Sequence, residues 1–177
     1  MLDKIIRARR SIRRYSDKKV SFKDVTEILD VARFAPMAGN IFTLKLIVVS
    51  ARQKIKDLAQ AAQQPFLNDS SFIIVVCSET SKVVRSYASR GVKYAHQQAG
   101  AAIQNMLLKI TSLGLASCWI GWFDDTAVKR TLKVPQEVDI EALIPIAYAD
   151  GKPGKVFKPD LKSIIFFEEW GKKEKGK

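Results

Sequence analysis

Along this chain the apolar positions recur at helical spacing in some stretches and cluster into short continuous runs in others, and the exchange between the two predicts helices packed on a sheet. Residues Leu2 to Arg10 read as a short basic helix with Ile5 and Ile6 on one side. Val25, Ile28, Leu29 and Ala32 form a stripe over a second helix, from about Phe22 to Phe34. Ser21 and Asp24 offer a hydroxyl and a carboxylate to its amino end, and Pro36 closes it. The run Leu44 to Val49 is apolar on both faces, as a strand buried in the middle of a sheet is. Ile55, Leu58, Ala59 and Ala62 return to helical spacing, Gln63-Gln64-Pro65 marks a break, and Phe72 to Cys77 is a second buried strand. The longest helix is expected from about Tyr94 to Ser112, with Ala99, Ile103, Met106, Leu107 and Ile110 inward and Gly114 just beyond its end. A strand near Ala116 to Ile120, a short helix opened by Asp124 or Asp125 and ending before Pro135, a strand from Leu143 to Tyr148 and an extended Ile164 to Phe167 complete the expectation.

The order of these elements has no internal repeat and no linker, so the expected architecture is one α+β domain over residues 1–170, with a charged tail at 171–177. A length of 177 residues and a hydrophobic share of 47% fit one folded unit. No apolar run reaches the roughly 18 residues of a membrane-spanning helix. The charged start Met1-Leu2-Asp3-Lys4 lacks a signal peptide's apolar segment, so a cytoplasmic protein without a membrane partner is expected.

The formal net charge of +12 changes the picture by asking for an anion: nucleic acid, an acidic surface or a phosphorylated ligand. Much of it sits in Arg9-Arg10-Ser11-Ile12-Arg13-Arg14-Tyr15, where guanidinium forks and a hydroxyl match the acceptor oxygens of a phosphate. Taken alone, such a string is as often a solvated face. Neither a dinucleotide-binding GxGxxG nor a P-loop occurs, so any phosphate is held by side chains. Phe72, Phe166 and Phe167 lie inside apolar runs and are expected in the core rather than on a nucleic-acid platform. One histidine, His96, and two distant cysteines, Cys77 and Cys118, leave no metal site and no thiol–imidazole pair; both thiols are expected buried and inert, and His96 at a helix surface.

Arg9 to Tyr15, Ala35-Pro36-Met37-Ala38-Gly39-Asn40, Ala101 to Leu108 (AAIQNMLL) and Gly114 to Gly121 (GLASCWIG) resemble the nitroreductase family in order and spacing, across roughly residues 4 to 168. The resemblance implies a nitroreductase-like fold, with a mixed, mainly antiparallel sheet, and an intertwined homodimer with FMN at the subunit interface. It places Arg9, Arg10, Ser11 and Arg13 on the flavin phosphate and polar ring edge, Arg9 at a phosphate oxygen and Arg13 at the ring's carbonyl side. Pro36, Met37, Ala38 and Asn40 reach the cofactor from the partner subunit. Gln98 falls near the ribityl hydroxyls and Gln64 at the ring edge. Trp119, Ile120, Gly121 and Trp122 match the stretch whose backbone amide, at Gly121 or Trp122, meets flavin N5, and Lys155 and Lys158 are the nearest matches to a further basic contact on the phosphate.

The activity so implied is hydride transfer from NAD(P)H, by way of the flavin, to a nitroaromatic, quinone or free flavin, with no side-chain nucleophile. Two departures bear on the acceptor. Phe42-Thr43-Leu44 stands where the family often continues with glutamine, proline and tryptophan. Little chain separates Thr80 from Tyr94 for a covering helix, so an open pocket edged by Phe42, Tyr87, Arg90 and Tyr94 is expected. Dehalogenation, enoate reduction or flavin handling within the same fold is the alternative, and a basic nucleic-acid-binding module a distant third.

Overall fold

The computed structural model describes residues 1–154 and 157–174. Three strands, β1 (Leu44–Val49), β2 (Phe72–Ser78) and β3 (Asp139–Ile146), form a sheet in the order β1-β2-β3 with both pairings antiparallel. Leu46 faces Val76 across the first pairing and Ile74 faces Ile144 across the second; the register shifts at Val76/Cys77. Side chains alternate across a strand, so β2 sends Ile74 and Val76 to one face and Ile73, Val75 and Cys77 to the other. Both faces are covered, which is why β2 reads as an unbroken apolar run.

On the first face lie α2 (Phe22–Ala32) and α5 (Arg90–Ser112), whose buried Val25, Ile28, Ala99, Ile103, Met106 and Ile110 pack on Ile74, Val76, Ala142 and Ile144. A Lys109–Glu27 ion pair of 2.8 Å joins the two helices. On the second face, α3 (Arg52–Ala61) and α6 (Asp125–Leu132) contribute Ile55, Leu58 and Val128. The α2 amino end is capped as its sequence dictates, with the Ser21 hydroxyl accepting from the Asp24 amide at 3.1 Å. Asp124 does the same for Ala127 at 3.1 Å and opens α6. The remaining helices are α1 (Leu2–Ala8), α4 (Ser81–Tyr87) and α7 (Leu161–Ile164), with 3-10 turns at Ala38–Asn40 and Pro65–Asp69.

Four expectations are corrected. The stretch 116–120 is not a strand: it makes single antiparallel bridges, Ala116 to Ala147 and Ile120 to Leu143, because its Ser117 carbonyl is taken by the Ile12 amide at 2.8 Å. The long helix begins at Arg90 rather than Tyr94, and the short stretch before it, where the sequence leaves little chain for a covering helix, holds the seven-residue α4. The last strand starts at Asp139 and ends at Ile146. Finally, Ile164 ends a short helix capped by Asp160, and beyond it Phe166 and Phe167 are only half-buried; the Phe166 ring lies against Trp170, with centroids 4.9 Å apart, outside the core. No helix among the described residues is long and apolar enough to cross a membrane.

Candidate functional site

The basic string after α1 is bound to the sheet by its backbone. Besides the Ile12–Ser117 bond, the Ser16 amide donates to the Tyr148 carbonyl at 3.0 Å, the Asp150 amide to the Arg14 carbonyl at 3.0 Å, and Tyr15 bridges Ala149. These contacts fold Arg10 to Arg14 against Asp150 to Gly154, the turn that follows β3, and enclose a cleft of about 360 Å³. Of the expected phosphate contacts, Arg10, Ser11 and Arg13 line this cleft. Arg9 sits just outside it, half-buried at the carboxyl end of α1.

The cations are not equally free. Arg14 pairs with Asp150 at 2.8 Å, and the Arg10 guanidinium donates to the Arg7 and Arg9 carbonyls, capping α1. Arg13, Ser11 and Lys152 make no side-chain hydrogen bond or ion pair among the described residues. Lys152 and Asp150 were not anticipated; the signal for them was the turn-forming Asp150-Gly151-Lys152-Pro153-Gly154 directly after a buried strand. Lys158 is exposed and does not line the cleft, and Lys155 lies outside the described residues.

Beside the string runs the Ser117–Trp122 segment. Ile120 exchanges hydrogen bonds with Leu143 in both directions, at 3.1 and 3.0 Å, which fixes the backbone entering Gly121. Among the described residues the amides of Gly121 and Trp122 have no protein acceptor. Trp119 and Trp122 are 41% and 80% exposed, so neither is a core residue. The Trp119 indole stands over Gly100 of α5, 3.9 Å from where a Cβ would lie. Two buried hydroxyls in this wall, on Tyr15 and Ser117, find no partner, and burial pushes the Tyr15 phenol well above its ordinary range. Gln64 is half-buried and leads into Pro65–Asp69, whose Phe66 meets Tyr15 edge-on with centroids 5.7 Å apart.

The other expected contacts lie elsewhere on the chain. Pro36, Met37, Ala38, Asn40, Phe42, Tyr87, Arg90 and Tyr94 do not line the cleft. Gly39 and Asn40 both take a positive φ, +58° and +57°, which glycine and asparagine tolerate best. The Tyr87 hydroxyl comes within 2.5 Å of where a Gly39 Cβ would stand, and Tyr87 meets Tyr94 edge-to-face at 5.2 Å. Thus Tyr87, Tyr94 and the Ala38–Asn40 turn form one aromatic corner. Gln98 is buried beside the segment that joins that turn to β1, and its carbonyl oxygen accepts from the Thr43 amide at 2.8 Å and the Thr43 hydroxyl at 2.6 Å.

The two cysteines and the histidine lie apart from this cleft. Cys77 and Cys118 are buried free thiols, and burial first, then the Glu141 carboxylate, pushes the Cys77 thiol up to about 11, with Lys129 acting the other way. His96 is exposed on α5, its Nδ1 2.9 Å from a Glu141 oxygen. No cluster of metal-ligating side chains occurs among the described residues. The cleft's cations and hydroxyl are the donor set of an anion site, and the segment tied to the string at Ser117 carries two exposed indoles, Trp119 and Trp122.

Comparison with known proteins shows the family and the fold. The family model described as "Nitroreductase family" matches residues 6–148. A protein of Archaeoglobus fulgidus provisionally named NADH dehydrogenase/NAD(P)H nitroreductase is 32% identical over 154 residues, covering 82% of this chain and 83% of its own. An FMN-dependent nitroreductase from Clostridium difficile superposes with a TM-score of 0.80 at 26% identity, over 94% of this chain and 98% of its own. A Parabacteroides distasonis structure with the same provisional name as the Archaeoglobus protein reaches a TM-score of 0.85 at 23% identity, over 96% and 98%.

Proposed function

The chain belongs to the nitroreductase family, and on that premise we propose that it is an FMN-dependent oxidoreductase passing hydride from NADH or NADPH to a small acceptor, a nitroaromatic, quinone or flavin, in a ping-pong cycle. The observation that carries this reading is the folding of Arg10, Ser11 and Arg13 into one cleft, with the Ile12–Ser117 bond tying the string to a segment whose Gly121 and Trp122 amides have no protein acceptor among the described residues. The residues present fit the cofactor: Arg13, Ser11 and Lys152 have the charge and donors for a phosphate and Arg9 lies just outside the cleft, while the exposed Trp119 would offer a planar surface on the segment tied to the string.

When bound, FMN supplies a two-electron carrier that accepts and releases hydride, the step no side chain here can perform. The chain contributes binding and orientation. The amide of Gly121 or Trp122, following the backbone fixed by the Ile120–Leu143 bonds, would stabilise negative charge on the bound cofactor without reorganising. Overall, NAD(P)H, a proton and a nitro group give NAD(P)+, a nitroso group and water.

The turn at Pro36 to Asn40 and the edge formed by Phe42, Tyr87, Arg90 and Tyr94 lie outside the cleft of their own chain. In this reading they complete the cofactor and acceptor site of a second copy, so that the working unit is a homodimer. Reconstitution with FMN followed by assay of NADH and NADPH oxidation, with nitrobenzene and p-benzoquinone as acceptors, tests the proposal. Bound flavin with acceptor-dependent oxidation supports it; absence of flavin binding contradicts it. A reductive dehalogenase on the same scaffold is the second reading, motivated by the Phe42-Thr43-Leu44 departure, and halide release from a halophenol distinguishes it.

A further inference from the structure

Gln98 is 3% exposed, on the long helix α5, and its amide is spent on one short piece of backbone. Its oxygen accepts from both the amide and the hydroxyl of Thr43, at 2.8 and 2.6 Å, and its nitrogen faces the Ile41 carbonyl at 3.5 Å. The orientation of the amide is fixed by chemistry, since a backbone N–H only donates and the group facing it must be the oxygen. The two backbone groups so addressed belong to the residues before and after Phe42. Two backbone bonds hold the same connecting segment: the Ile41 amide donates to the Ala38 carbonyl at 3.0 Å, and the Thr43 carbonyl accepts from the Glu79 amide at 2.8 Å. Phe42 itself is 42% exposed, an aromatic ring presented to solvent from a backbone whose neighbours on both sides are held from beneath.

The amide oxygen is committed to Thr43 and the nitrogen is turned toward Ile41, so the side chain is directed at the chain on either side of Phe42. We infer that Gln98 is a positioning residue for the electron acceptor: it brackets Phe42 and thereby sets the aromatic wall against which a planar acceptor stacks. This rests on the reading that Phe42 borders the acceptor site of a flavin enzyme. The physical reason for such a device is the left-handed turn at Gly39 and Asn40 immediately upstream, which no regular hydrogen-bond ladder holds. Without the bracket, the backbone around Phe42 would be left with the Ile41–Ala38 and Glu79–Thr43 bonds alone, and stacking requires a fixed plane.

The experiment is a double-mutant cycle between Gln98→Met and Phe42→Ala on the FMN-loaded protein, read as KM and kcat with nitrobenzene and, separately, with ferricyanide, a one-electron acceptor that needs no stacking wall. Gln98→Met is expected to keep its flavin, to leave ferricyanide turnover within about twofold and to raise the nitrobenzene KM by roughly tenfold, short of the hundredfold that a full ångström of misplacement can cost. In the Phe42→Ala background the same change is expected to add less than about twofold, because residues acting through one another are not additive. An equal loss with both acceptors, or the full tenfold loss in both backgrounds, overturns the inference. If Gln98→Met fails to fold, Thr43→Val removes one donor from the bracket and is read in the same cycle. A wild-type protein that binds no FMN contradicts the functional reading instead, so the two failures are distinct.

Discussion

Arg13, expected at the carbonyl side of the flavin ring, is the freer cation of the cleft because its neighbours are engaged, Arg14 with Asp150 and Arg10 with the carbonyls at the end of α1. Charge-assisted hydrogen bonds contribute about 1.5–3 kcal/mol each. Replacing Arg9 and Arg13 together with alanine is therefore expected to weaken FMN binding by at least about a hundredfold. Neither side chain supports the core, so the far-UV circular dichroism should be unchanged. Quenching of FMN fluorescence on titration measures the loss; wild-type affinity in the double variant contradicts the assignment. The arginine string was visible in the sequence as a candidate anion site, but its internal division of labour was not, since Asp150 lies 136 residues from its partner Arg14.

At the scale of elements, the α4–α5 corner is held by Gly91, where an added Cβ would stand 2.5 Å from the Val83 carbonyl oxygen and 2.6 Å from the Val84 Cα. Backbone cannot yield as a side-chain tip can, so Gly91→Ala is expected to destabilise the fold by about 1–3 kcal/mol. Urea denaturation reads this directly, and an unchanged midpoint would show that the corner is not tightly packed. The same corner explains what the sequence concealed. A glycine and two basic residues in the first turn of α5, Arg90 and Lys93, oppose helix propensity and dipole together, so the visible pattern begins only at Tyr94. By contrast, α2 and β1 were legible, one from its Ser21–Asp24 cap and the other from its double-faced burial. The stretch 116–120 has a strand's composition but lends one edge to the amino-terminal string, a long-range contact that local pattern does not encode. Gln98 was picked out as a site residue, while its grip on Thr43 depends on how α5 lies over the chain entering β1.

For the molecule as a whole, the exposed Trp119, Trp122, Phe157 and Trp170, together with the division of expected cofactor contacts between two regions, favour a dimer. Light scattering at micromolar concentration is expected to give twice the 19.9 kDa chain mass, and a flavin-loaded monomer would exclude the shared site. Stability should also depend on alkaline pH. The Cys77 thiol has an ordinary value of 9.0 and is pushed up to about 11 in the fold, so above pH 9 the unfolded chain ionises first and gains over the native one. The loss by pH 11 is at most about 2 kcal/mol. Cys77→Ala should remove that part of the decline in thermal melts between pH 9 and 11; an identical slope would contradict a buried neutral thiol. The most direct test of the central claim is the visible spectrum of the protein after incubation with FMN and removal of the free cofactor. A retained flavin band near one FMN per chain is the expected result, and a colourless protein with an intact fold would contradict it.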